Sequence, residues 1–290
     1  MLQFQPPGFR QKNTQTSLGT IAYYTQTEVV ERSPIVFLHS FGGGSSAYEW
    51  SKVYPVFARQ HQIIAPDLLG WGESSHPARD YRAEDYVSSI AEFLPKVTRE
   101  PAILVASSLS GALAIRVAIQ HPDLVKSLFL VCPSGFDDFG EGAGRRIPRE
   151  IINTPILDRV IYAIGATNEF AVRNFLENFL FVNRDRITPE MVNAYLASAR
   201  QPNAEYAALA FLRGDLYFDL SRYLPQLTTP TAIVWGEEAQ FTDVRLGQRL
   251  SDLNERVRSF EVVPDSGVLV ALEQPAIVAG LLQEFLSVEK

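Results

Sequence analysis

At 290 residues, with 46% apolar and 20% charged residues and a formal net charge of −7, the chain has the make-up of a folded globular protein, which excludes disorder as its main state. The acidic balance and the lack of a basic stripe argue against nucleic acid or an anionic membrane as the principal partner. A single cysteine, Cys132, excludes an internal disulfide and a CxxC redox or zinc site, so no metal or cofactor is expected.

In chain order, residues 1–10 contain two prolines and no apolar core of signal-peptide length, so the expected location is cytoplasmic. Residues 14–25 alternate polar and apolar about Leu18-Gly19-Thr20, which predicts an antiparallel hairpin. Strands are predicted at 35–39 and 62–66, with helices at about 47–59 and 84–97. A run rich in β-formers, 101–105, reaches the small residues Ala106, Ser107 and Ser108 and turns straight into a helical pattern over 109–120; a strand follows at 127–131. The uncharged run 101–115 is broken by serines and a glycine and falls short of a membrane span, so no transmembrane segment is expected. Strands alternating with helices predict a mostly parallel sheet with helices on both faces.

From 137 to 227 the pattern changes. Windows at 156–163, 169–181, 189–199 and 204–212 carry apolar residues at three- and four-residue spacing with no strand between them. This predicts an inserted helical cap, with 1–136 and 228–290 forming the core. Of its aromatics, Tyr162, Phe170, Phe175, Phe179, Phe181, Tyr195, Tyr206 and Phe211, most are expected to bury the cap against the core and some to line a cleft beneath it. The core then resumes with strands at 231–235 and 258–263 and helices near 246–253 and 276–285.

The chemistry centres on Ser108, at the apex of a strand-turn-helix with Ala106 and Ser110 two residues to either side, a variant of the G-x-S-x-G nucleophile elbow. Four further motifs appear in order: His39-Ser40-Phe41-Gly42-Gly43-Gly44; Asp67-Leu68-Leu69-Gly70-Trp71-Gly72-Glu73-Ser74; Thr231-Ala232-Ile233-Val234-Trp235-Gly236; and Val263-Pro264-Asp265-Ser266-Gly267-Val268 followed by Leu272-Glu273-Gln274-Pro275. Together they resemble the α/β-hydrolase superfamily over nearly the whole chain. The resemblance implies an α/β-hydrolase fold with an eight-stranded, mostly parallel sheet. It also implies an oxyanion hole from the backbone N–H groups of Phe41 and Leu109, with Ser40, Gly42 and Ser107 beside the ligand.

The chain departs from that pattern at two places. The family's acid stands three residues beyond the glycine of the acid strand, where this chain has Ala239; its histidine follows the later glycine, where this chain has Val268. No histidine follows His121. A serine hydroxyl is a weak nucleophile until a positioned base takes its proton. Of the histidines, His76 is the candidate substitute base, and His39 is expected to be bonded behind the oxyanion turn. His61 and His121 read as structural. Glu237, Glu238, Asp243, Asp137 and Asp138 are the substitute acids, and Arg145, Arg146 and Arg149 read as a solvated loop. The expected function is binding of a small, largely apolar molecule between core and cap, with conventional Ser-His-Asp hydrolysis disfavoured. The alternatives are a serine esterase or acyl hydrolase working on an apolar ester through Ser108 with a non-standard base, and a scaffold for a protein partner.

Overall fold

The computed structural model describes residues 1–27, 32–142, 162 and 165–288. Its frame is a sheet of eight strands: β1 (Phe9–Thr16), β2 (Gly19–Gln26), β3 (Ile35–Leu38), β4 (Ile63–Pro66), β5 (Ala102–Ser107), β6 (Val125–Val131), β7 (Thr231–Gly236) and β8 (Val257–Val263). They lie in the order β1-β2-β4-β3-β5-β6-β7-β8. β1 and β2 form the antiparallel hairpin, β2 pairs antiparallel with β4, and β3 to β8 are parallel. This is the α/β-hydrolase fold the motifs imply.

Local sequence explains the order. β3, β4, β5 and β7 are buried at every residue, as expected for inner strands of a parallel sheet covered on both sides. β1 alternates with exposed polar positions and lies at the sheet edge. Helices α1 (Ala83–Val97) and α2 (Leu109–Gln120) pack on one another, and α2 also lies against β5 and β6. α2 is buried from Leu109 to Ala118, and its Gly111, Ala112 and Ala114 keep it thin enough to lie close to the strands. Between β6 and β7 come α3 (Glu169–Phe175), α4 (Pro189–Ala199) and α5 (Ala204–Arg213). α4 starts with Pro189 behind Thr188, whose hydroxyl accepts the Met191 N–H, a common helix opening. The chain closes with α6 (Val244–Ser251), α7 (Val270–Glu273) and α8 (Pro275–Val288).

Two predicted helices differ in form. Residues 47–59 are two 3-10 turns, Ala47–Trp50 and Tyr54–Phe57, rather than an α-helix. Pro55 has no N–H to offer the carbonyl of Ser51. Ala47 to Trp50 are also all buried, leaving no solvent face for a helix, and the Trp50 indole donates to the Leu38 carbonyl at 2.9 Å. In the 169–181 window, α3 gives way to a π-turn at Leu176–Leu180, which sends both leucines inward. The predicted helix at 156–163 lies largely outside the described residues, as do Arg145, Arg146 and Arg149.

The two ends of the inserted helical segment are fastened together. Phe136 and Phe218 form a parallel bridge. The buried Asp138 carboxylate accepts the Ser134 hydroxyl at 2.6 Å and the Leu220 N–H at 2.8 Å, and Asp219 accepts the Phe139 N–H at 3.0 Å. Among the described residues no helix is long and apolar enough to cross a membrane.

Candidate active site

Ser108 sits where β5 turns into α2, with φ 55° and ψ −131°. A non-glycine residue held there stores on the order of 1–3 kcal/mol of strain, which the surroundings must offset. They do so through the backbone. The Ser108 N–H donates to the Val131 carbonyl at 2.8 Å, and its own carbonyl accepts the Gly111 N–H at 3.0 Å. Its side chain does not cap α2, and among the described residues its hydroxyl has no hydrogen-bond partner although the residue is only 5% exposed. Ser107, one residue earlier, is the buried last residue of β5.

The loop after β3 lies beside this turn. Leu38, the last residue of β3, is paired with Ala106 of β5. The Ser110 hydroxyl donates to the His39 carbonyl and ties the two strand exits together. The backbone N–H groups of Phe41 and Leu109 have no acceptor among the described residues. Ser40 instead faces backwards, its N–H and hydroxyl donating to Glu49 at 2.7 and 2.9 Å. Gly42 lies beneath the Phe175 ring.

Glu49, which lies outside every sequence motif, is buried at the centre of this loop. It also accepts the Tyr195 hydroxyl of α4 at 2.8 Å, and burial raises its pKa above the usual carboxylate range. The only sequence signal was a charge between Tyr48 and Trp50 in an otherwise uncharged stretch. Gly44 has φ +92°, and a side chain there would strike the Tyr195 carbonyl. Ser198 adds a bond to the Ser45 carbonyl at 3.0 Å. The helical segment is thus bolted to the loop that presents Phe41.

The histidines are placed elsewhere. His39 bonds the Ser40 carbonyl through Nδ1 at 2.7 Å and accepts the Leu68 N–H at Nε2 at 2.9 Å, which fixes a neutral ring. Burial lowers its pKa to about 4. His61 bonds the Ser33 carbonyl at the opposite end of the strands, and His121 ends α2, which at about 1.5 Å per residue is roughly 18 Å from Ser108. The loop of His76 is held by Ser75 N–H to the Thr20 carbonyl of β2 and by Asn203 of the inserted segment, and the ring's Nε2 is buried without a hydrogen-bond partner. No histidine is hydrogen-bonded to Ser108.

Positions 239 and 268 lie on neighbouring loops. The Glu238 N–H donates to the Ser266 carbonyl at 3.0 Å, and Gly236 packs so closely on the Gly267 carbonyl that a side chain would not fit. Ala239 and Val268 are both buried. Glu273 accepts the Gly267 N–H at 2.6 Å and the Val182 N–H at 2.9 Å, joining this corner to the inserted segment. The substitute acids are otherwise engaged or exposed: Asp138 at the fastening, Asp243 capping α6 at 2.8 Å, Glu237 and Glu238 in solvent, and Asp137 half-buried in the loop after β6. Among the described residues no group of acidic, histidine or cysteine side chains is arranged to hold a metal.

Two rows of aromatic rings stand on this rim. Phe41 meets Trp71 at 5.4 Å and Tyr86 at 4.7 Å, and Phe136 meets Phe211 and Tyr217 at 5.2 and 5.1 Å. Phe175, Phe179 and Phe241 form the second row, with centroids 5.6 and 6.3 Å apart. Phe170, by contrast, is 80% exposed.

The neutral ring of His39 has a consequence for stability. Its folded pKa lies below the unfolded value of 6.5, so its contribution is full above pH 6.5 and is lost as pH falls toward 4. Between pH 8 and pH 5 this amounts to about 2 kcal/mol. Urea unfolding of His39→Gln is therefore expected to show lower stability than the parent at pH 8, with the gap narrowing by that amount at pH 5. A constant gap would show that the ring does not titrate with folding.

The Alpha/beta hydrolase family matches residues 35–281. An uncharacterized hydrolase, YugF, of Bacillus subtilis (strain 168) is 27% identical over 275 residues, covering 92% of this chain and 95% of that protein. A 2-hydroxymuconate semialdehyde hydrolase of Pseudomonas sp. (strain CF600) is 27% identical over 263 residues, covering 88% and 87%. The crystal structure of a carboxylesterase from Bacillus subtilis superposes with a TM-score of 0.77 at 19% identity, covering 98% and 94%.

Proposed function

The chain belongs to the Alpha/beta hydrolase family, and from that premise we propose that it binds a small, largely apolar molecule between the sheet rim and the inserted helices and is not a conventional Ser-His-Asp hydrolase. The observation that carries the reading is the unpartnered Ser108 hydroxyl. Hydrolases of this kind need an imidazole at that oxygen and a carboxylate behind the imidazole, and the corresponding loops here offer Val268 and Ala239. The partly exposed rings of Phe175, Phe179, Phe211 and Phe241 supply the apolar lining such a ligand requires. Ser108 keeps the left-handed backbone of a nucleophile turn, and this supports a second reading, a slow serine acyl hydrolase acting on an apolar ester.

A fluorophosphonate probe separates the two. Under the first reading Ser108 stays unlabelled over an hour, p-nitrophenyl esters turn over no faster than in buffer, and N-phenyl-1-naphthylamine binds with a rise in fluorescence and in melting temperature. Rapid labelling lost in Ser108→Ala, with ester turnover lost alongside, would establish the second.

A further inference from the structure

We propose that a groove on the exposed face of α4 binds a short peptide with free ends, laid out along the helix. The groove runs between α4 and the 3-10 turn Leu2–Phe4 and has a volume of about 560 Å³, within the range of small-ligand sites. None of its lining residues belongs to the turn that carries Ser108 or to the aromatic rows beside it. Its wall on α4 is a stripe at helical spacing, Glu190, Asn193, Ala197 and Arg200. Elsewhere on the same helix, Tyr195 and Ser198 are bonded to Glu49 and to the Ser45 carbonyl, which holds this wall in place. Gln3 and Phe4 form the opposite wall, with the Phe4 ring edge-on to Tyr48 at 6.2 Å.

The charges select the occupant. At one end Glu190 accepts from Tyr48 and Lys52 at 2.9 and 3.0 Å through Oε1 alone, and its Oε2 is left open. The Lys52 pair is exposed and therefore weak. At the other end the Arg200 Nε donates to the Thr167 carbonyl at 3.0 Å, which fixes the guanidinium and leaves both Nη groups unpaired among the described residues. A guanidinium fork held in this way suits a carboxylate. From 190 to 200 the helix rises about 1.5 Å per residue, so the two charges stand roughly 15 Å apart. An extended chain covers about 3.3–3.6 Å per residue, and a tetrapeptide therefore spans the groove with its amino end at Glu190 and its carboxylate at Arg200. The side-chain amides of Gln3 and Asn193, which also lack protein partners, can donate to and accept from the peptide groups between. Phe4 and Ala197 supply an apolar floor.

The test is calorimetry at about 50 mM salt with the peptide Ala-Leu-Leu-Ala, its N-acetyl form, its C-terminal amide and the doubly blocked form. Amidation is expected to weaken binding about fivefold and acetylation about threefold, the range of exposed charge pairs, and both effects should shrink at about 0.5 M salt. Arg200→Ala should erase the effect of amidation and keep that of acetylation, and Glu190→Gln should do the reverse. Ala197→Tyr, which fills the groove, should weaken all four peptides. The free peptide should leave N-phenyl-1-naphthylamine in place, because the dye's site is the cleft beneath the inserted helices. Displacement of the dye, equal binding of the free and doubly blocked peptides, or no binding of the free peptide at millimolar concentration would overturn the proposal.

Discussion

The double variant Val268→His/Ala239→Asp is expected to hydrolyse p-nitrophenyl butyrate at least about a hundredfold faster than the parent chain, while each single variant gains little. In serine proteases, losing the serine or the histidine costs on the order of a million-fold in turnover, and the members act as a unit. An engineered triad recovers only part of this, since a misplacement of about 1 Å costs on the order of a hundredfold. The scaffold already has what the new groups need. Ser108 is held on its strained turn, the Phe41 and Leu109 N–H groups are unpaired, and the loops carrying 239 and 268 are hydrogen-bonded to one another. The gain should vanish when Ser108→Ala is added. A folded double variant with no gain would show that positions 239 and 268 are not the acid and base positions.

Glu49→Ala is expected to cost about 3–5 kcal/mol in urea unfolding. The substitution orphans the Ser40 N–H and the Tyr195 hydroxyl in a buried setting and leaves the Ser40 hydroxyl only its 3.2 Å bond to the Ser45 hydroxyl; an unmet buried donor costs about 1–3 kcal/mol. Relief of the carboxylate's own desolvation offsets part of that sum. Against a total stability of about 5–15 kcal/mol, the variant stands near the edge of folding. Tyr195→Phe should cost about 1–2 kcal/mol, and combining the two should cost less than their sum because they share one bond. The folded pKa of Glu49 is raised, so its contribution is greatest at low pH and declines as pH rises through that value. The Glu49→Ala penalty is therefore larger at pH 5 than at pH 8. A penalty below about 1 kcal/mol would mean that the carboxylate does not hold the loop.

How legible each feature was depended on how local its cause is. The strands at 35–38, 102–107 and 231–236 announce themselves as apolar runs, and the abrupt change to a helical pattern at Leu109 marks the turn that carries Ser108. The proposal that Ala239 and Val268 stand at the acid and base positions needed only the motifs around them. The 3-10 turns at 47–57 were read as one helix because the apolar spacing of Tyr48, Trp50 and Tyr54 does not reveal that all sides are buried. Glu49 and Asp138 were missed as structural centres because their partners, Tyr195 and Leu220, are 146 and 82 residues away.

The positions of the strands along the chain and the serine at a strand-to-helix turn follow from the sequence alone, because side-chain patterning and the small residues at turns act over a few positions. Which histidine could meet Ser108 did not. His39 and His76 both follow strands that end on the same rim, and only the tertiary structure spends the ring of one on the Leu68 and Ser40 backbone and anchors the loop of the other beside β2. The strand order places those sites, and a strand order is fixed by contacts between residues far apart in the chain.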